Sequence, residues 1–240
     1  MRKLLALTSA IAVAACSANA QRGNDEARGE QGRRDFQVGE FRSVSLEGSH
    51  DVVVTIGGAA SVRAEGDARM IERLDIRVEN GALKIGTQRG NWLSGMRGGH
   101  VTVFVTAPAI EGASIGGSGD MRIDRVQANN FAASIAGSGD MEIGALQARQ
   151  ANFSIAGSGG IRAAGRAETA DISIAGSGSL ALDALEARTA DVSVVGSGDV
   201  SIRATETVSA SIMGSGDVTV RGSARCTVSK MGSGDVHCGG

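Results

Sequence analysis

The sequence predicts an all-β chain wound as a single-stranded β-helix, or β-solenoid, of roughly 18–20 residues per coil, a right-handed winding being favoured. Three observations predict it. Gly-Ser-Gly recurs with its first glycine at Gly117, Gly137, Gly157, Gly176, Gly196, Gly214 and Gly232, in steps of 20, 20, 19, 20, 18 and 18 residues. Three residues before that glycine stands a serine in every copy: Ser114, Ser134, Ser154, Ser173, Ser193, Ser211 and Ser229. Around the corner run apolar positions at period two, such as Phe153 and Ile155 before it and Ile161 and Ala163 after it. A fixed period marks a repeat architecture, and period-two alternation marks half-buried strands.

From the N-terminus, residues 1–20 read as an export signal. Arg2 and Lys3 give the charged start, and Leu4 to Ala15 is an apolar run too short to span a bilayer. Ala18-Asn19-Ala20 is a small-x-small cleavage site that would leave Gln21 first. Val13-Ala14-Ala15-Cys16 offers the alternative of a bacterial lipobox, in which residues 1–15 are removed and Cys16 is lipidated. Residues 21–35 are polar and charged without apolar periodicity, and read as a flexible tether.

One domain is expected over 36–240. Glu47-Gly48-Ser49-His50-Asp51 resembles a degenerate corner, followed by a strand from Val52 to Ile56. Ala68 to Leu74 suits a short helical turn. Leu74 to Glu79 alternates, Asn80-Gly81 signals a hairpin, and Leu83 and Ile85 resume the alternation. Gly86 to Gly99 reads as a glycine-rich loop carrying Trp92, and Val101 to Val105 as a strand closed by Pro108. The repeats follow. Glycine suits each corner because it reaches positive φ, and serine and aspartate because they hydrogen-bond local backbone. One repeat cannot bury its apolar side alone, whereas a stack of them can; seven coils at about 4.8 Å span about 34 Å. Lys230 breaks the isoleucine column in the last copy and reads as a charged cap on the sheet edge.

Composition excludes some functions. The net charge of −2 gives no nucleic-acid footprint. The chain has no Tyr and one Trp, whereas sugar-processing sites use aromatic platforms and paired carboxylates. Cys226 and Cys238 share the inward parity of the last coil; an exported chain permits a disulfide between them, and two buried thiols are the alternative.

Three features together resemble the exported bacterial family known as the putative auto-transporter adhesin, head GIN domain. They are F-x-x-V-x-L-x-G-x-x-D-V-x-V from Phe41 to Val54, V-x-V-x-V-x-A-P from Val101 to Pro108, and the serial Ser-Ile-Ala-Gly-Ser-Gly-Asp corners. The resemblance runs from about Phe36 to Asp235. It implies a solenoid with a surface or adhesive role and brings no catalytic residues. No translocation-barrel pattern is seen, so self-secretion is not implied.

Each chemical candidate has a plainer reading. Asp120, Asp140, Asp199, Asp217 and Asp235 follow their corners and suggest a calcium ladder, but Gly160 and Ser179 interrupt it, so turn residues are the better reading. The serine column has no recurring base beside it and reads as a stacked hydroxyl ladder. His50, His100 and His237 lack metal-ligand spacing. Trp92 is the aromatic to test for partner contact, packing over the open end of the solenoid being its plainer reading. The expectation is a non-catalytic envelope or surface protein with no cofactor and an unidentified partner, touching membrane only through a lipid anchor. It would reside in the periplasm, outer membrane or cell surface. Its work is expected on a flat Ser/Thr/Asp-rich face. A structural periplasmic protein and a carbohydrate-active enzyme are the alternatives; two convergent carboxylates in a groove would favour the enzyme, and a uniform small-polar face without a pocket the interaction protein.

Overall fold

A computed structural model describes residues 30–88 and 99–239. Its strands join in one 17-stranded sheet that winds around a single core. The N-terminal elements are β1 (Gln31–Phe36), β2 (Ser43–Gly48), β3 (Asp51–Ile56), β4 (Ser61–Asp67), α1 (Ala68–Ile71), β5 (Leu74–Glu79), β6 (Ala82–Thr87) and β7 (Val101–Ala107). The repeats supply β8 (Gly112–Gly117), β9 (Met121–Ile123), β10 (Val126–Gly137), β11 (Asp140–Gly157), β12 (Gly160–Gly176), β13 (Ser179–Gly196), β14 (Asp199–Gly214), β15 (Val218–Arg221), β16 (Arg225–Gly232) and β17 (Val236–Cys238).

Neighbouring coils pair in parallel, like residue on like. Ser134 lies against Ser154, Ile135 against Ile155 and Gly137 against Gly157. The degenerate corner joins the same stack, because Ser45 pairs with Ser114 and Gly48 with Gly117. Space and sequence differ in order here. The β2–β3 coil sits between β6–β7 on one side and β8–β9 on the other. The N-terminal end is finished by antiparallel strands, β1 on β4, β4 on β7, and β5 on β6.

The tether reading is corrected at its end. Gln31–Phe36 is strand β1, which residues 31–35 enter despite their polarity. Polar residues suit this edge: Arg33 reaches Glu65 at 3.9 Å, and the Arg34 guanidinium lies 4.9 Å from the centre of the Phe36 ring. Gly86 and Thr87, expected in the loop, extend β6. Asn80 and Gly81 both take positive φ, 54° and 76°, the two-residue turn their sequence signals. Asp67 caps α1 by accepting from the Arg69 amide at 2.9 Å.

The core is a set of ladders. Ile115, Ile135, Ile155, Ile174, Val194 and Ile212 form one, each at most 2% exposed. Two phenylalanines are staggered between coils. Phe131 pairs with Ala151 and Ala133 with Phe153, so each ring lies beside a methyl rather than another ring. That large-small alternation lets both rings fit within a narrow core.

The corners explain the glycines. Gly157 adopts φ of 134°, and a Cβ there would collide with the carbonyl of Gly137 one coil before. A Cβ on Gly159 would collide with Gly139 and crowd Ile135. That approach lets the Ser158 amide donate to the Gly137 carbonyl at 2.9 Å, and Ser177 to Gly157 likewise at 2.9 Å.

Candidate functional site

Beyond the strands that flank each corner, each full coil has a third side. It is formed by the first half of β10 and the middle parts of β11, β12, β13 and β14, in the registers Val126–Leu146 and Gln147–Arg166. The chain turns onto this side through irregularities between Ile143 and Leu146, Arg162 and Ala164, and Leu182 and Glu186. Coil length varies here: Glu186 pairs with Arg203 directly after the Leu182–Ile202 pair, so β14 makes the turn with fewer residues.

The third side carries a groove of about 740 Å³. Its floor is a ladder of Ala128, Ala148, Ala167 and Ala187. Gln127, Gln147, Arg166 and Glu186 line one wall, and Asn129, Arg149, Glu168 and Arg188 the other. With Thr205 it runs across five coils, about 19 Å at sheet spacing. Its charges pair along the walls. Arg149 Nε lies 3.6 Å from Glu168 Oε2, and Arg166 Nε 3.9 Å from Glu186 Oε1. Arg188 grips Glu206 with two bonds, 2.9 and 3.1 Å. Those hydrogen bonds, and then the guanidinium charge, hold Glu206 below the ordinary carboxylate range. The two groove acids, Glu168 and Glu186, therefore each face an arginine.

The serine face is shallower. A depression of about 460 Å³ is bordered by Ser134, Asn152, Ser154, Asp171, Ser173 and Asp191. On the second side, Ser201 Oγ donates to Asp183 Oδ2 at 2.6 Å, and Asp183 is held by Arg221 at 3.1 Å. This serine meets an acid fixed by an arginine, with no base between them to activate it.

The corner aspartates have a specific task. Asp120 Oδ1 accepts from the Asp140 amide at 3.0 Å, Asp140 Oδ1 from Gly160 at 2.8 Å, and Asp199 Oδ1 from Asp217 at 3.0 Å. The interruptions are compensated by backbone: the Ser179 and Asp199 amides donate to the Gly159 and Gly178 carbonyls, at 3.1 and 3.2 Å. Asp120, Asp140, Asp199 and Asp217 each bond the next coil in this way, while Asp235, on the last coil, accepts from Lys230. Among the described residues, no three His, Cys, Asp or Glu side chains are grouped to hold a metal.

Two histidines distant in sequence meet near one corner. His50 occupies the position taken elsewhere by the corner's second glycine, is buried, and its Nε2 lies 3.0 Å from Thr87 Oγ1. His100 Nε2 lies 3.1 Å from Asp51 Oδ2. Burial pushes the His50 pKa down; Asp51 opposes this and His100 adds to it. The paired strands β3 and β7 bring these residues together, a long-range register that histidine spacing does not reveal. His237 is on β17, at the far end.

Cys226 and Cys238 form a disulfide with a Cα separation of 6.4 Å, tying β16 to β17. Lys230 turns to Asp235 Oδ1 at 2.9 Å and to the Gly234 carbonyl at 3.3 Å. Cys16 and Trp92 lie outside the described residues.

Solved structures share this architecture. A putative adhesin from Bacteroides fragilis NCTC 9343 superposes with a TM-score of 0.78 at 23% identity, covering 87% of this chain and 96% of its own. A structure named as a putative lipid binding protein, from Parabacteroides distasonis ATCC 8503, gives a TM-score of 0.70 at 23% identity with the same coverage. A putative adhesin from Parabacteroides merdae ATCC 43184 gives 0.67 at 18% identity, again with 87% and 96% covered. At these identities the likeness speaks for fold. No curated protein matches the chain. The family profile described as putative auto-transporter adhesin, head GIN domain, matches residues 40–224, and with the stacked corners and ladders above it the chain belongs to that family.

Proposed function

We propose that the chain is a non-catalytic exported interaction protein, a stiff rod that binds an envelope or surface partner along its third side. The observation that carries this reading is the groove itself. Hydrogen-bonding side chains line both walls for four coils above an alanine floor, with Thr205 adding a fifth, while its acids pair with arginines. Such a surface offers many weak, directional contacts to an extended partner and no reacting centre. Family membership and the adhesins of similar fold support an adhesin-like role. The amino-terminal export pattern supports a place in the periplasm, outer membrane or cell surface, with either lipidated Cys16 or Gln21 as residue one. The intact mass of the exported chain distinguishes those two.

The binding test is retention on an array of envelope polysaccharides and surface polypeptides. The wild-type protein is expected to be held saturably by at least one class. Replacing Arg149, Arg166 and Arg188 together by alanine should weaken retention at least tenfold. Melting should stay nearly unchanged, because these arginines and their partners are exposed. Equal retention of the triple variant would remove the groove from the account. Release of soluble sugar from a bound polysaccharide would restore the enzyme reading.

A further inference from the structure

We propose that the C-terminal end of the rod is an interface with a second copy of this chain, giving a tail-to-tail dimer. The two ends of the rod are finished differently. The N-terminal edge strands carry charges, Arg33, Arg34 and Asp35 on β1 and Asp75, Arg77 and Glu79 on β5, which discourage further pairing. At the other end, among the described residues, β16 pairs with β14 alone and leaves its outer edge open.

The expected cap does not close that edge. Lys230 stands over Ile212 in register, but its amine is drawn to Asp235 and Gly234. Val228, which continues the core over Ala210, is left 44% exposed. Beside it runs an apolar stripe on the outer face: Val195, Met213 and Met231 pair coil to coil and are 50%, 54% and 70% exposed. In the preceding coils the same column is Ala136, Ala156 and Ala175. Among the described residues, these four are the exposed large hydrophobics, and they gather at this end.

The sequence of β16 is complementary to itself. Two copies set antiparallel with a two-fold axis through Val228 place Val228 against Val228 on the core side. They place Thr227 against Ser229, Cys226 against Lys230 and Arg225 against Met231. No like charges stand opposite one another, the open backbone edges pair, and the core columns of the two copies meet at Val228. The axis is two-fold and the N-terminal edge strands are charged, so the contact closes at two copies.

Sedimentation equilibrium of the purified non-reduced protein tests this across a wide concentration range. The expected result is a reversible monomer–dimer equilibrium, with slower amide exchange in β16 as dimer forms. Val228→Lys should weaken dimerisation at least tenfold, and Met231→Lys should weaken it less. Both sites are exposed, so both variants should melt like the wild type. A monomer at every concentration overturns the proposal. So does a dimer indifferent to both substitutions, or an open series of higher oligomers. A monomer that instead floats with phosphatidylethanolamine–phosphatidylglycerol vesicles would assign the patch to lipid and equally overturn the dimer.

Discussion

Gly157→Val is expected to lower stability by about 3 kcal/mol or more, because it combines backbone strain with a collision in the corner stack. For a chain of this size that is a fall of about 10 °C in melting temperature. Two causes act together. Valine is β-branched and rarely adopts the φ of 134° held at Gly157. Its Cβ would also press on the Gly137 carbonyl, which accepts the Ser158 amide. Relief requires coils to separate, and their spacing is shared by the whole stack. Ser154→Ala makes the contrast. Its side chain points outward, and its loss should move stability by no more than about 0.5 kcal/mol. Thermal unfolding by circular dichroism compares the two; equal midpoints would remove the steric role assigned to the corner.

Ile155→Asp is expected to abolish the cooperative transition near room temperature. Ile155 is 2% exposed and lies between Ile135 and Ile174 in the ladder. A carboxylate there must be buried without a partner or be protonated, and either state costs several kcal/mol. Its neighbour Ala156 is exposed on the outer face, so Ala156→Asp should fold. A soluble Ile155→Asp protein with a normal melting curve would contradict the inward assignment.

The corners, columns and repeat length were legible because a ladder writes the same constraint into every coil. Ser114 to Ser229 and Gly117 to Gly232 each report one environment seven times. The third side was less visible. Its residues differ between coils, as Gln147, Arg166 and Glu186 do, and its turns absorb the changes in coil length. Position on an exposed wall asks only for polarity, so no single residue type runs the length of either wall. The crossing order of β2, β6 and β8 was hidden for another reason. Parallel pairing across non-consecutive strands leaves no trace in local alternation. The meeting of Asp51 with His100 follows from that order. The strand at Gln31–Phe36 was misread because edge strands are polar by design, which is also the composition of a tether. The role of the aspartates could be inferred only as turn residues. That Asp120, Asp140, Asp199 and Asp217 cap the amide one coil on follows from the stacking register, which local sequence does not show.

The account rests on coils that are interchangeable units, stacked to build both core and groove. Removing one coil, residues 158–176, joins Gly157 to Ser177 at positions that pair in the intact rod, Gly157 with Gly176. Stability in such a stack is a sum over repeats and their interfaces, so a rod short by one interior coil should still fold. The measurement is thermal unfolding of this deletion protein, with its retention on the same array. A single cooperative transition at a lower midpoint, with retention weakened but present, is the predicted result. A chain that does not fold, or one that folds and binds as tightly as the intact rod, would contradict it.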